Sequence, residues 1–509
     1  MPLTHSHDGI SQPMIRFSDY RLIGPATAAW LSAAAIIQAI TRSTQPPVAT
    51  VISALVSALI TAVMVWPHHR YQARHGTYPI GSVRAGVALS LIVSTLAGFS
   101  ALIHATNYIR GPLVNRCRSS CVITARIDQQ PRRITRGWLT RLRPDAQPAT
   151  GIFLITSQHP GANEGDQLIA RGRIEPFGTP PTIGLLKPQT VRIQAKSSPA
   201  QRFRRRFITH LMPLEADTRG LIAGMSIGDS SDLSAPAREA MRVTSTTHLT
   251  AISGMHLGII VMTLHILIPG RPRSKILLLA VIISLLIVIV GPRPSVIRAA
   301  SMAAVLALAH LAGRATQAQT SLALVVIGWI IVNPWLAVSI GFILSVAATA
   351  AVVTAVAQTD TAYRRNERPR AQYLHKLRPL VSIPLAAAVS TAPILVAVMG
   401  YLPVYSVLAN VLVLPAVAAT TMAGLGGALC ANIWPDTAWI PLIVARLGAD
   451  WILAVSQFCA GLPLATIARP GASWIASGCV GVTAMVALRR VLPFFMRHRI
   501  PHEPICGIE

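Results

Sequence analysis

The chain has 509 residues, of which 52% are hydrophobic and only 12% charged, whereas soluble domains carry about a quarter charged residues. With a mean hydropathy of +0.52, this excludes an ordinary soluble globular protein and points to a membrane protein. A formal charge of +27, from 45 Lys and Arg against 18 Asp and Glu, suits an anionic partner, either lipid headgroups or nucleic acid. A generally basic composition combined with the positive-inside rule accounts for it equally.

In chain order, residues 1–21 form a polar tail read as disordered. His5, His7 and Asp8 lie there without further ligands or a strand to hold a metal. No cleavable signal is convincing. Apolar segments follow near 22–40, 48–66 and 83–105, each close to the roughly 20 residues a spanning helix needs. Together they make a block of three helices over 22–105.

Residues 110–200 differ in kind. Short β-like pieces, CVITARI, TGIFLIT, DQLIARGRI and QTVRIQA, alternate with Pro, Gly, Asn and Asp. A small external β-domain fits, and a partly open barrel that binds oligonucleotides (OB-fold-like) is one form of it. Stacking aromatics are few: Trp138, Phe153 and Phe177. Arg132, Arg133, Arg136, Arg141 and Arg143 form a basic patch suited to phosphate contacts, or a solvated loop. Six cysteines in so long a chain are not a disulfide scaffold. A Cys117–Cys121 bridge is allowed if the domain lies outside the cell, and two free thiols are the alternative.

Residues 201–246 read as an amphipathic region lying against the membrane. Arg202, Arg204, Arg205 and Arg206 flank Phe203 and Phe207, and Pro236 opens a further short helix. The second apolar block, 247–492, divides into nine spans near 247–269, 275–291, 294–312, 318–333, 335–358, 380–399, 403–430, 438–459 and 472–492. Basic loops at Arg70 to Arg84, Arg271 to Lys275 and Arg364 to Arg378 are then cytoplasmic, as is the tail 493–509 with Arg497 and Arg499. The expected fold class is a polytopic α-helical membrane protein of about twelve spans with one small extracellular β-domain and both termini in the cytoplasm.

The densest chemistry lies between Gly228 and Gly258. Asp229, His248, Ser253 and His256 sit in or beside an apolar run, where ionisable groups normally face a bundle interior or a water-filled path. Ser253-Gly254 would let a helix break or pack closely. Ser253 and His256 share a helical face at i, i+3, the minimum for an intramembrane nucleophile and base, but no third orienting residue stands at helical spacing. A polar conduit is the preferred reading, with helix–helix glue as the bland alternative.

The run GDSSDLSAPAREAMRVTSTTHLTAISGMHLGII resembles the signature of the ComEC-type competence DNA-channel family. Pro294, Ser295, Arg298 and Ala299 resemble its small-residue and arginine span. Asn333, Pro334, Gly341, Phe342, Leu344 and Ser345 resemble its N-P…G-F-x-L-S segment, and Pro393, Leu408, Asn410 and Pro415 also fit. The resemblance implies an inner-membrane channel that passes single-stranded DNA into the cytoplasm during natural transformation. His248, Ser253, His256 and Arg298 would line the path, with Arg298 a phosphate contact or a snorkelling side chain, and Asp229 would order the entrance turn.

Two departures matter. The acid usual before G-F is replaced by Ser339 or Ile340, and no metallo-β-lactamase-like domain with a metal cluster is evident before Glu509. The expectation is therefore no enzyme activity, no metal and no cofactor. Expected partners are single-stranded DNA, membrane lipids, a DNA receptor, a cytoplasmic translocase and a separate nuclease, with a second copy of the chain as an open alternative to a pore within one chain. An intramembrane hydrolase using Ser253 and His256, or a small-solute or lipid transporter, is the alternative.

Overall fold

A computed structural model describes residues 22–42 and 80–468, apart from 112, 114–120, 129, 135–136, 148–149, 159, 162–163, 176–180, 195–197, 251, 253, 268–271, 292–293, 312–317 and 365–368. The tails 1–21 and 493–509 and the expected spans 48–66 and 472–492 lie outside the described residues. In chain order the elements are α1 (Ile23–Arg42), α2 (Ile80–Arg110), β1 (Cys121–Ile127), β2 (Arg132–Ile134), β3 (Gly137–Pro144), β4 (Gly151–Thr156), β5 (Gln167–Glu175) and β6 (Thr182–Gln194). Then come α3 (Pro199–Leu211), α4 (Ala216–Ile227), α5 (Ala235–Val243), a 3₁₀ turn (Thr247–Thr250), α6 (Gly254–Leu267), α7 (Pro272–Val290), α8 (Pro294–Leu311) and α9 (Ala318–Val332). A second 3₁₀ turn (Pro334–Val338) leads to α10 (Ile340–Arg364), α11 (Pro369–Met399), β7 (Tyr401–Pro403), α12 (Ser406–Ile433), α13 (Trp439–Gly461) and β8 (Thr466–Ala468).

The chain divides into two compact units. In the first, residues 1–105 and 305–338, α1 and α2 meet through small side chains. Ala29, Ala33, Ala97 and Ala101 are fully buried, and Ser32 Oγ donates to Ser94 O at 2.9 Å. This is how helices associate when lipid removes the hydrophobic drive between them. Trp30 Nε1 donates to Ala337 O and Ser100 Oγ to Ile331 O.

The second unit holds the β-domain and the remaining helices. Alternating burial along β1 turns Ile123, Ala125 and Ile127 inward, and β5 does the same with Leu168 and Ala170. With Leu142, Ile152, Leu154 and Leu186 they form a closed apolar core. The strand order is β1-β5-β6-β4-β3, and β1 pairs again with β3. The five strands therefore close into a small barrel. The β4–β6 pairing is parallel and the other barrel pairings are antiparallel. β2 is a short flap hydrogen-bonded to β3.

The helical part is built on the α12–α13 hairpin. Glycine at 427 and 448 lets the two backbones approach: a Cβ at Gly448 would lie 2.1 Å from Thr420 Oγ1, and one at Gly427 would lie 2.5 Å from Leu442 Cδ2. The chain between the barrel and the signature folds onto this hairpin, although hydropathy placed 201–246 on the membrane surface. α3 is amphipathic, with Arg202, Arg205 and Arg206 exposed, but its buried Phe207 and Leu211 pack into the same core as Val413, Val417, Ala445 and Ile452. α4 is buried from Gly220 to Ile227. A periodic apolar face shows that a helix is covered, without saying whether lipid or protein covers it.

Among the described residues four segments are long and apolar enough to cross a membrane: Val87–Arg110, Pro379–Met399, Ser406–Ile433 and Pro435–Gly461. Shorter apolar helices cover Ile23–Ala39, Ile276–Val290, Val296–Ala309, Ala318–Val332 and Ile340–Val356. The simple alternation expected from hydropathy does not hold between α7 and α12. Asn432 Nδ2, near the end of α12, donates to Phe203 O. The next residue, Arg204, donates through Nε to Ile289 O at the end of α7. The two helices therefore end together, and Ile283 and Leu286 of α7 pack in one cluster with Met422 and Leu425 of α12. Five alternating crossings between residues 294 and 430 would put those ends on opposite faces, in conflict with this contact. Neither the count of twelve nor the side of the termini follows from alternation. α6, at 14 residues, is about 21 Å long at 1.5 Å per residue, short of the ~30 Å hydrocarbon core.

Candidate conduit site

The site is built from the end of α4 to the start of α6, with α8 beside it. Gly228 stops α4 in the left-handed conformation, φ 75°. The turn that follows is wired by side chains. Ser231 N donates to Asp229 Oδ1 at 3.0 Å. Arg238 Nη2 donates to the carbonyls of Ser230 and Ser231 at 2.8 and 2.9 Å. Arg219 pairs with Asp232 at 2.6 Å. Asp217 accepts from both the backbone N and the hydroxyl of Ser234, which also caps α5. Asp229, 8% exposed, thus serves the turn with its carboxylate.

α5 carries Arg242, which grips Glu239 with two hydrogen bonds of 2.8 and 2.6 Å and lies over the Tyr401 ring at 4.9 Å. The hydrogen bond from Arg242 holds the Glu239 carboxyl below its ordinary range. Burial pushes Tyr401 up, partly opposed by the Arg242 charge. Beyond α5 a fully buried hydroxyl chain joins Thr244 Oγ1, Thr246 Oγ1 and Ser456 Oγ at 3.0 Å each. Sequence reasoning missed these partners because Ser456 is some 200 residues away and nothing local marks it.

Ser245 takes φ 58°, unusual for a side-chain-bearing residue, and its carbonyl accepts from His248 Nδ1 at 3.0 Å. His248 is exposed at the start of the segment that leads into α6. Gly254 and Gly258 of α6 are exposed as well, and a Cβ at Gly258 would have nothing within 4 Å. His256 is fully buried one turn into α6, within electrostatic reach of His248. Ser253 lies outside the described residues.

Two further contacts hold this break in place. The carbonyl of Thr250 lies against Gly224, where a Cβ would come within 2.6 Å. Gly254 faces Ala299 of α8, 3.7 Å from a Cβ built on the glycine. Next to Ala299, the Arg298 guanidinium stacks on Phe342 at 5.4 Å. Its Nε is buried with no acceptor among the described residues. The structure thus brings His248 and His256 within electrostatic reach of each other and packs α8, the helix of Arg298, against α6 through Ala299 and Gly254, while the Asp229 turn reaches Gly224 through Ser230.

The barrel arginines are less free than their sequence cluster implies. Arg143 and Arg141 both face Asp128, at 2.5 and 3.5 Å, so one carboxylate offsets part of their charge. Arg132 and Arg133 lie on β2, paired with Leu139 and Trp138, and Arg136 lies outside the described residues. Cys121 is disulfide-bonded, and Cys117 lies outside the described residues. Among the described residues no group of three or more His, Cys, Asp or Glu could hold a metal ion.

Residues 225–493, just over half of the chain, match the family model described as Competence protein. The chain belongs to the competence protein family. The match begins on α4 and includes the wired turn, the broken helix and Arg298. The chain is also similar to ComE operon protein 3 of Bacillus subtilis (strain 168), 28% identical over 212 residues. That similarity covers 41% of this chain and 26% of the relative, about a quarter of its length. No solved structure matches.

Proposed function

We propose that this competence-family protein passes a single strand of DNA across the cytoplasmic membrane, with the barrel on the outer face. The observation that carries the reading is the exposed His248 at the entrance to the short helix α6, with α8, the helix of Arg298, packed against that helix. Irregular backbone at membrane depth is tolerated where it lines a cavity, and the exposed N-terminus of a half-helix favours negative charge. Arg298 lies over the Phe342 ring and its Nε has no acceptor among the described residues, as a phosphate contact requires. The barrel's strand order, with its one parallel pair β4–β6, resembles that of an oligonucleotide-binding fold and supports DNA capture there. The excess of positive charge supports the same partner. In this reading the chain is a conduit rather than an enzyme, works with lipid and DNA, and relies on separate proteins for capture, pulling and second-strand degradation.

The test is uptake of labelled DNA by a transformable host that lacks its own channel and is complemented with this chain. Arg298→Gln, His248→Ala, Ser253→Ala and His256→Ala are compared at equal membrane abundance. Loss of internalised DNA in Arg298→Gln and His248→Ala is the expected result. Normal uptake in all four sinks the conduit at this site. Loss confined to Ser253→Ala and His256→Ala, with product chemistry on the strand, would favour the hydrolase.

A further inference from the structure

A buried ion pair lies away from the proposed conduit, at the junction of the barrel with the helices. Arg204 of α3 and Glu164 of the β4–β5 connection pair at 3.1 Å, with side chains only 10% and 13% exposed. Through Nε the same guanidinium donates to Ile289 O, among the last carbonyls of α7. Such carbonyls lack helical partners and carry partial negative charge, so a cation there is favourable.

Everything around the pair is fixed. Gln201 Nε2 holds Glu164 O at 2.7 Å and Asp166 Oδ1 at 3.1 Å, while the Ser198–Gln201 capping box sets the first turn of α3. Gly165 N donates to Ile127 O of β1 at 2.8 Å, which ties the connection to the barrel wall. On the other side, Gly291 takes φ 89°, and a Cβ there would sit 2.9 Å from Glu164 Oε1 and 3.4 Å from Arg204 Nη2. The backbone of the α7–α8 turn therefore closes directly on the ion pair. Where α2 enters the barrel, the last turn of that helix adds two ties: Tyr108 Oη donates to Thr182 O at 3.1 Å, and Gln147 Nε2 donates to Asn107 O at 3.1 Å.

We propose that Arg204 and Glu164 are positioning residues that clamp the barrel to the end of α7 and hold it over the α7–α8 turn. Burying two charges is costly unless the geometry is excellent and the remaining donors are satisfied. Here one rigid planar fork meets acceptors from two separate elements through two different nitrogens, a spacing that the single ammonium of a lysine does not reproduce. A loosely tethered capture domain would need no such pair. Arg298 lies about one turn into α8, the helix that follows Gly291, so the clamp ties the barrel to the start of the helix that carries the conduit arginine. The role in transport rests on the proposed DNA function, whereas the clamp does not.

The experiment uses the full chain in lipid nanodiscs and in cells. Hydrogen exchange is compared for wild type, Arg204→Lys, Glu164→Gln and Gly291→Ala, and each is scored for surface-bound and internalised DNA. Arg204→Lys and Glu164→Gln are expected to exchange at least about tenfold faster in peptides covering 164–168 and 286–291, with α13 unchanged. Surface-bound DNA should stay within about twofold while internalised DNA falls. Unchanged exchange in both peptides overturns the clamp, and so does a rise spread evenly over the whole chain. Faster exchange with wild-type internalisation overturns the positioning role. Should wild type take up no DNA, the conduit reading fails while the exchange data still decide the clamp. Gly291→Ala gives the same readout if either charge variant fails to accumulate.

Discussion

Gly224→Ala tests the geometry that sets the helix break. A Cβ at this position would lie 2.6 Å from Thr250 O and 3.1 Å from Thr250 C, with Ser230 Cβ at 3.4 Å. The nearest atoms are backbone, so no rotamer change relieves the contact. The Thr247–Thr250 turn would have to retreat by roughly 0.8 Å in a close-packed interior. Overpacking of this kind costs about 1–3 kcal/mol, and alanine returns up to about 1 kcal/mol of helix propensity. With backbone as the opposing group the cost falls in the upper part of that range, about 2–3 kcal/mol, and a net loss of about 1–2 kcal/mol follows. The matched control is Gly426→Ala in α12, where the nearest atom is Pro441 Cβ at 3.7 Å. That change should be neutral or stabilise by up to about 1 kcal/mol. Unfolding by dodecyl sulfate in mixed micelles, followed by tryptophan fluorescence, measures both. Wild-type stability in Gly224→Ala, or an equal loss in Gly426→Ala, refutes the reasoning.

Thr246→Val removes the middle of the buried hydroxyl chain, but Thr244 and Ser456 keep their bonds to Ala240 O and Ile452 O at 2.9 and 2.8 Å. The cost should be about 0.5–1.5 kcal/mol, and adding Ser456→Ala should cost less than the sum of the two single changes in the same unfolding assay. Arg242→Ala should lose up to about 1 kcal/mol, because the Tyr401 stack and the Glu239 pair are both partly exposed. The Glu239 carboxyl is held below its ordinary range by Arg242. Its stabilisation is therefore complete above the unfolded carboxyl pKa and disappears as pH falls through the lower folded value. Wild type should lose that increment on acidification and Arg242→Ala should not. Parallel acid titrations that superimpose after a constant offset would refute the pairing.

Much of the plan is visible in one dimension. Hydropathy marks most of the apolar helices, and the two-residue alternation in CVITARI and DQLIARGRI marks strands whose inward residues form the barrel core. Ser198 three residues before Gln201 announces the start of α3. What one dimension omits is the identity of the covering partner. α4 reads as a polar, surface-lying piece because Asp217 and Arg219 stand in its first turn, but both are occupied within the fold. Glycines at 220 and 224 then bring its backbone against Leu233 and Thr250. The same omission defeats the crossing count. An apolar run of 15–18 residues is equally a short span or a helix buried in protein, and it takes the bonds from Asn432 to Phe203 O and from Arg204 to Ile289 O to show that α7 and α12 end together. The five barrel arginines mislead in another way: charge counts along the chain, but Asp128 sits across the sheet from two of them.

Arg298 shows how the structure narrows a choice left open by the sequence. An arginine one turn into an apolar helix either snorkels to the interface or turns inward. Snorkelling extends the side chain along the helix until its head reaches water or phosphate headgroups. Here the guanidinium lies on the ring of Phe342, which is 1% exposed, so the head turns inward. Phe342 and Arg298 come from two motifs that are far apart in sequence, and their stack gives both a common purpose. An aromatic face holds the guanidinium plane without using up its N–H donors. A partner that consumed those donors, such as the carboxylate absent before Gly341, would leave less for a passing phosphate. On this reading the missing acid and the buried stack belong to one design, and introducing Ile340→Asp should reduce internalised DNA while leaving surface-bound DNA unchanged. If uptake is untouched by that carboxylate at equal membrane abundance, Arg298 is not reserved for an anion.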